Sequence, residues 1–314
     1  MIPSSLTPHL ASAANTEINK ILRTGATSVQ QKVPTGEVGF VAAFVLGGVP
    51  AIASAWKQHL KSCGLSLKMS GVFCHQNPMA SFIDSSGVSR TCELADLLIV
   101  LDDLRPGTLT TRWAVLIQAK LASAGGGQKL STQRDLTQLD LLANWPRFTL
   151  PAGFATGHRD FSSCTYAGSV IECGRYGLID KQPNPVWHQQ APANSMPAGG
   201  DELGTFMARM VENRAGYGRE ATGTRDDWSR TVDELMKVTA GLAFSYSAGL
   251  KGRHPRGNSA LGLVIPRDSD SFASGQWTSE PPPTGGRPEL PPDGPPSEGI
   301  NLVHIGISRL DSRE

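Results

Sequence analysis

Asp96, Gln118 and Lys120 are the residues of this chain whose types and spacing could do chemistry together. Asp96 heads the apolar run LLIVL at 97–101, and Gln118-Ala119-Lys120 closes a second run, WAVLI, at 113–117. Burying polar groups is costly unless they find partners, so these groups either satisfy one another or serve a site. Side chains alternate along a strand, so Gln118 and Lys120 share a face with Leu116, while Val115, Ile117 and Ala119 point the other way. With Asp96 opening the neighbouring strand, a carboxylate, an amide oxygen and an amine meet at one strand end. Hard oxygens of this kind bind Mg²⁺, and the amine can orient or polarise a water. The plain alternative is an ion pair between Asp96 and Lys120 at the rim of a sheet.

The elements that must hold these groups follow from periodicity and breakers. Both apolar runs have strand length and are continuous, as in central strands covered on both faces. Pro106-Gly107 between them marks a turn, and Asp102-Asp103 reads as a solvated strand end. Upstream, a short helix is expected around 15–23. Thr35 then caps helical material, which Gly47, Gly48 and Pro50 break into two helices. LSLKMSGVFC at 65–74 reads as a strand, and 79–83 as another, turning through 84–87. Downstream, Leu130, Leu136, Leu139 and Leu142 recur at near-helical spacing, which predicts a helix ending before Pro146. Short paired strands follow at 166–173 and 176–179, then a loop over 181–200.

Two amphipathic helices are expected at 201–213 and 227–248, and strands at 259–265 and 300–310. The segment SEPPPTGGRPELPPDGPPSEG lies between those strands and lacks backbone donors at its prolines. It reads as an exposed, mobile loop. The order predicts an α/β (α+β) fold with a central mixed sheet flanked by helices. Its divisions are an N-terminal segment (1–34), a core (35–180), a helical elaboration with a strand (181–265), the Pro/Gly-rich loop (266–299) and a C-terminal strand (300–314).

At 314 residues the chain can bury a substantial core, and its net charge of +1 announces no global nucleic-acid field. Any such interface must be local. Five cysteines without a CxxC pair, and no secretory leader pattern, favour free thiols in a reducing compartment. Adjacent Cys74 and His75 lack the second ligand pair of a zinc site. No uninterrupted apolar stretch is expected to reach membrane-spanning length, which makes a cytoplasmic protein the simplest expectation.

The joint order of a helix bearing Glu37, a strand opened by Ala95-Asp96 and a strand closed by Gln118-Ala119-Lys120 resembles the PD-(D/E)xK nuclease superfamily. Its fold is the restriction-endonuclease-like one. Ala95-Asp96 stands where the family has Pro-Asp, and Gln118-Ala119-Lys120 where it has (D/E)-x-K, similar to the Q-x-K variants among restriction and phage-defence nucleases. The resemblance covers roughly residues 35–180, including a following helix with Gln133, Arg134 and Gln138.

It implies Mg²⁺- or Mn²⁺-dependent hydrolysis of DNA phosphodiester bonds. Asp96, the Gln118 oxygen, the Ala119 carbonyl and Glu37 would hold the ion, and Lys120 would orient the attacking water. Glu93 is a further candidate, although strand parity points it elsewhere without a bulge. RNA remains an alternative substrate. With no recognisable sensor, ATPase or sequence-reading module, the pattern is that of a prokaryotic anti-phage defence effector restrained by a protein partner or by oligomerisation. The alternative reading is a catalytically silent nuclease fold serving as a nucleic-acid-binding or scaffold subunit.

Around this site, His75 either caps a strand end or contacts phosphate or water, and Gln133 and Arg134 are candidate nucleic-acid contacts. Arg209, Arg214, Arg219, Arg225 and Arg230, with Lys251, Arg253, His254 and Arg256, form either a solvated surface or a phosphate-binding one. Arg253 and Arg256 are the first choices for phosphate. Trp145-Pro146-Arg147-Phe148 reads as a packing corner rather than a base-stacking platform.

Overall fold

Two continuous apolar strands demand cover on both faces, and the sheet that contains them receives it. The computed structural model describes residues 2–26, 33–74, 78–105, 108–123, 127–162, 165–166, 170–181, 184–213, 215–223, 226–245, 261–264 and 299–310. The chain opens with helices α1 (Thr7–Thr24), α2 (Glu37–Ala43) and α3 (Val49–Lys61). Strands β1 (Leu65–Cys74), β2 (Met79–Ile83), β3 (Ser89–Glu93), β4 (Leu97–Arg105) and β5 (Thr108–Leu121) follow, then helix α4 (Gln133–Asn144). Next come β6 (Phe148–Thr149), β7 (Thr165–Tyr166), β8 (Val170–Ile171), β9 (Gly174–Asp180), β10 (Val186–Gln190) and β11 (Asp201–Glu202). Helix α5 (Leu203–Val211), β12 (Arg219–Glu220), helix α6 (Asp227–Ser245), β13 (Leu261–Val264) and β14 (Leu302–Arg309) complete the order.

The main sheet runs β11-β10-β9-β5-β4-β14-β1-β13, with β12 also paired to β5. The β4–β14 and β5–β9 ladders are parallel and the others antiparallel, so the sheet is mixed, as expected. β14 sits between β4 and β1, so the last described strand is built into the middle of the sheet. β3, β2 and β6 make a separate three-stranded sheet. Alternation divides the core into two layers. Leu97, Ile99, Val115, Ile117, Val303 and Ile305 pack with buried residues of α1, α2, α3 and α5. Leu98, Val100, Leu116 and Leu302 pack with those of α4 and α6.

Several local expectations are corrected. Gly47, Gly48 and Pro50 do not break the helix. A π-helical turn over Phe44–Gly48 joins α2 to α3, and Val49 donates five residues back to Phe44. The widened turn absorbs the donor that Pro50 lacks. The glycines permit close approach instead: a Cβ at Gly47 would stand 2.9 Å from Ala26 Cβ. The resulting helix, Glu37–Lys61, is long and apolar enough to cross a membrane by length and composition, contrary to expectation. Two thirds (67%) of its apolar window is nevertheless buried inside the protein, against α1 and β1.

The helix expected at 15–23 extends over all of α1, and Gly36 rather than Thr35 is the N-cap of α2. The stretch 181–200 is not all loop, because β10 lies within it with Trp187 and Gln189 buried on one face. Gly177, its neighbour on β9, leaves room for the Trp187 indole nitrogen, which a Cβ there would overlap. Gly177→Ala is therefore expected to cost about 1–3 kcal/mol of stability through overpacking, read as a lower urea midpoint with unchanged slope. An unshifted midpoint would show that the indole moves freely. Trp145 and Phe148 are buried with Phe161 and Trp228 in one aromatic cluster, as expected of a packing corner. The expected Pro/Gly-rich mobile loop, 266–299, falls almost entirely outside the described residues.

Candidate functional site

β5 outruns its neighbour. β4 begins at Leu97, paired with Ile117, so residues 118–121 extend past it, and among the described residues no strand pairs with that edge. Along that edge the Asp96 N–H donates to Ile117 O at 3.0 Å. The Ala119 N–H donates to Asp96 Oδ2 at 2.7 Å, and the Leu121 N–H to Glu37 Oε1 at 3.2 Å. Two carboxylates thus take the place of a missing strand. A residue's C=O leaves a strand on the same edge as its N–H, so the Ala119 carbonyl emerges between Asp96 and Glu37. Glu37 occupies the first turn of α2, where the helix dipole favours an anion.

The two β5 side chains lie on the α4 face, as strand parity predicts. Gln118, 2% exposed, donates its Nε2 to Asp96 Oδ2, which leaves its Oε1 buried and without a hydrogen-bond partner among the described residues. Lys120 does not pair with Asp96. Its Nζ donates to Asp135 Oδ1 at 2.9 Å, so the expected Asp96–Lys120 rim ion pair does not form. Asp135 is fixed by the N-cap of α4: its N–H donates to Thr132 Oγ1 at 3.1 Å, and the Thr132 hydroxyl donates to Asp135 Oδ2 at 2.7 Å. Burial alone would raise the Asp135 carboxyl, but the Thr132 and Lys120 donors hold it below the usual carboxylate range.

Asp96 has the opposite balance. Its burial and the nearby Glu93 and Glu37 charges outweigh the Ala119 N–H and Lys120, pushing its carboxyl from 3.8 up to about 7. Asn301 holds the backbone at this point. Its Nδ2 donates to Asp96 O at 2.6 Å, its Oδ1 accepts from Cys74 N at 2.7 Å, and its own carbonyl accepts from Leu98 N at 2.7 Å. Asn301 and Asp135 were missed in the sequence. Asp135 had a signal, since Thr132 and Asp135 have N-cap spacing, but nothing local marks Asn301.

The remaining candidates are placed as follows. Glu93 ends β3, in the smaller sheet, so alternation along β4 does not govern it. Its carboxylate pairs with Arg134 at 3.0 Å and reaches Asp96 only through its field. Arg134 is otherwise exposed, and Gln133 is exposed with its amide 3.4 Å from Thr137 Oγ1. Arg209, Arg219 and Arg230 are ion-paired with Asp201, Asp226 and Asp227, which favours the solvated-surface reading for these three. His75, Arg214, Arg225, Lys251, Arg253, His254 and Arg256 lie outside the described residues. Cys63, Cys74 and Cys92 are free thiols, and burial pushes Cys74 up to about 12.

Asp102 corrects another expectation: it is not solvated but 2% exposed, on the same sheet face as Asp96 and near the opposite end of β4. Arg112 Nε and Nη2 donate to its two oxygens at 2.7 and 2.9 Å, and Arg112 Nη1 donates to Asp233 of α6. His304 Nε2 lies 2.8 Å from Asp102 Oδ2. Burial would raise this carboxyl, but Arg112 and His304 bring it down to about 2.

Among the described residues no three His, Cys, Asp or Glu side chains are grouped to hold a metal ion. The oxygens available for a hard cation are therefore of mixed type: the Asp96 and Glu37 carboxylates, the Ala119 carbonyl and the Gln118 Oε1. The unpartnered, buried Gln118 oxygen is the feature that fits such an ion. Compared with known protein families, curated proteins and solved structures, the chain matches none of them. What fold and geometry define is a mixed α/β protein with a helix-flanked central sheet. Its buried polar site lies where one central strand outruns another.

Proposed function

We propose that this chain has a restriction-endonuclease-like core and hydrolyses DNA phosphodiester bonds with Mg²⁺ or Mn²⁺. The observation that carries the reading is the convergence of Asp96, Gln118 and Ala119 at the bare edge of β5, with Lys120 two residues along from Gln118. Asp96, Gln118 Oε1, the Ala119 carbonyl and Glu37 would hold the ion, whose contribution is to offset charge developing on the phosphoryl oxygens. An ammonium has three N–H donors. Lys120 commits one to Asp135, which fixes its position, and keeps two for the attacking water and a phosphoryl oxygen. Asn301 and the two flanking core layers keep this strand end from shifting. Control by a partner or by oligomerisation, as in an anti-phage defence effector, belongs to the same proposal.

A second reading is favoured by the bonding of the carboxylates. Asp96 and Glu37 already satisfy the bare N–H groups of β5, which is sufficient structural work for a catalytically silent nucleic-acid-binding subunit. Incubation of the purified chain with plasmid DNA and Mn²⁺ or Mg²⁺ separates the two. Cleavage by the wild type that falls by about 10²-fold or more in Asp96→Ala and Lys120→Ala is expected. DNA binding without cleavage would leave only the silent subunit, and undiminished cleavage by both variants would place the chemistry elsewhere.

A further inference from the structure

The amide at position 118 creates a problem that a glutamate would not have. A carboxylate that ligates a cation through one oxygen presents a second acceptor, which a hydroxyl can satisfy by donating to it. An amide that turns its oxygen toward a cation must find acceptors for its NH₂ group, or bury an unsatisfied donor. In this structure the Gln118 NH₂ faces Asp96. Turning Oε1 toward Asp96 would direct Nε2 away from it, toward whatever lines the α4 face of the sheet.

Two fully buried polar groups line that face, neither with a hydrogen-bond partner among the described residues. Tyr176 is the register partner of Gln118 across the parallel β5–β9 ladder. It packs in the same core layer as Leu116, and its hydroxyl is unpartnered. Gln138 lies one helical turn beyond Asp135 on α4, 1% exposed, with both amide atoms unpartnered. Asp135 is bonded to Lys120, the same-face neighbour of Gln118 on β5, which holds this turn of α4 over the strand end. A buried polar group left unsatisfied costs about 1–3 kcal/mol.

Resting on the cation-site reading above, we infer that Tyr176 and Gln138 are positioning residues for the Gln118 amide. With Oε1 turned to the cation, Gln118 Nε2 donates to the Tyr176 hydroxyl, which in turn donates to Gln138 Oε1. One chain of hydrogen bonds then gives partners to the Tyr176 hydroxyl and to Gln138 Oε1, which have none among the described residues. The two ligand types use the site differently: an amide at position 118 needs the Tyr176 hydroxyl as an acceptor, and so Gln138 to take the hydroxyl proton, whereas a carboxylate would take that proton itself.

The test is titration calorimetry of the full chain with Mn²⁺ alone, with far-UV circular dichroism to verify folding. Tyr176→Phe and Gln138→Leu are each expected to weaken Mn²⁺ binding about tenfold or more, the usual effect of losing a group that orients a ligand. In a Gln118→Glu background Gln138→Leu is expected to change Mn²⁺ affinity less than about twofold, because the Tyr176 hydroxyl then donates to the carboxylate and no longer to Gln138. A Gln138→Leu penalty that persists in the Gln118→Glu background would mark a merely structural role and overturn the inference, as would unchanged affinity in the single variants. If the wild type binds no Mn²⁺, the cation site itself falls and the inference with it. If Mn²⁺ binds and the cycle behaves as expected but DNA is not cut, the nuclease reading fails while the positioning role stands.

Discussion

Asp96→Asn is expected to stabilise the protein at pH 8 while abolishing Mn²⁺-dependent cleavage. The carboxyl of Asp96 is held up at about 7 in the folded chain against 3.8 when unperturbed. The folded state therefore keeps a proton that the unfolded state has released. The penalty is absent below about pH 4, grows as the pH rises toward 7, and is complete above that, reaching at most about 4 kcal/mol. Asparagine removes the ionisation but retains an oxygen for the Ala119 N–H. Urea denaturation without divalent ions should show the variant more stable than wild type at pH 8, with most of that gain gone near pH 4. An equal difference at both pH values would show that ionisation of Asp96 is not what costs stability. A site that gives up stability to keep a buried carboxylate near neutrality is expected where the charge has a use.

Arg112→Ala should have the largest structural effect. It strands Asp102, 2% exposed, with the His304 ring but without its bidentate guanidinium partner. Removing one member of a buried ion pair costs about 3–5 kcal/mol, because the other charge stays buried. Replacing the pair together, Arg112→Met with Asp102→Leu, should recover much of that loss. The Asp102 carboxyl is lowered to about 2 in the folded protein, so its contribution is present above about pH 4 and disappears as the pH falls toward 2. Denaturation midpoints across pH 2–7 read this directly. A loss below about 1 kcal/mol for Arg112→Ala at pH 7 would mean that solvent or the His304 ring already offsets the Asp102 charge.

Between these polar clusters, the same two strands show how much was legible in the linear chain. Alternation along 113–120 put Gln118 and Lys120 on one face and Ile117 and Ala119 on the other, and the two core layers divide in that way. Apolar continuity marked β4 and β5 as central. The same reasoning misjudged Asp102, since an acidic pair after an apolar run looks like an exit from the sheet. It is buried because Arg112 stands directly opposite it in the β4–β5 register and His304 lies nearby on β14. Gly47, Gly48 and Pro50 likewise look like a break, and a π-helical turn shaped by packing against α1 accommodates them.

Which residues complete the site depended on contacts that no local pattern encodes. Asn301 reaches Asp96 across 205 positions and Glu37 reaches Leu121 across 84. Tyr176 meets Gln118 only because β9 pairs in parallel with β5. Alternation and strand length are properties of a few neighbouring residues, so the sequence by itself determined β4 and β5, their two faces and the placing of Gln118 and Lys120 on one of them. Strand order and the point at which β4 stops short of β5 are set by the packing of the whole core. Only the tertiary structure therefore decided that Asp96 and Glu37 would share a bare strand edge, and that Lys120 would be held by Asp135 rather than Asp96.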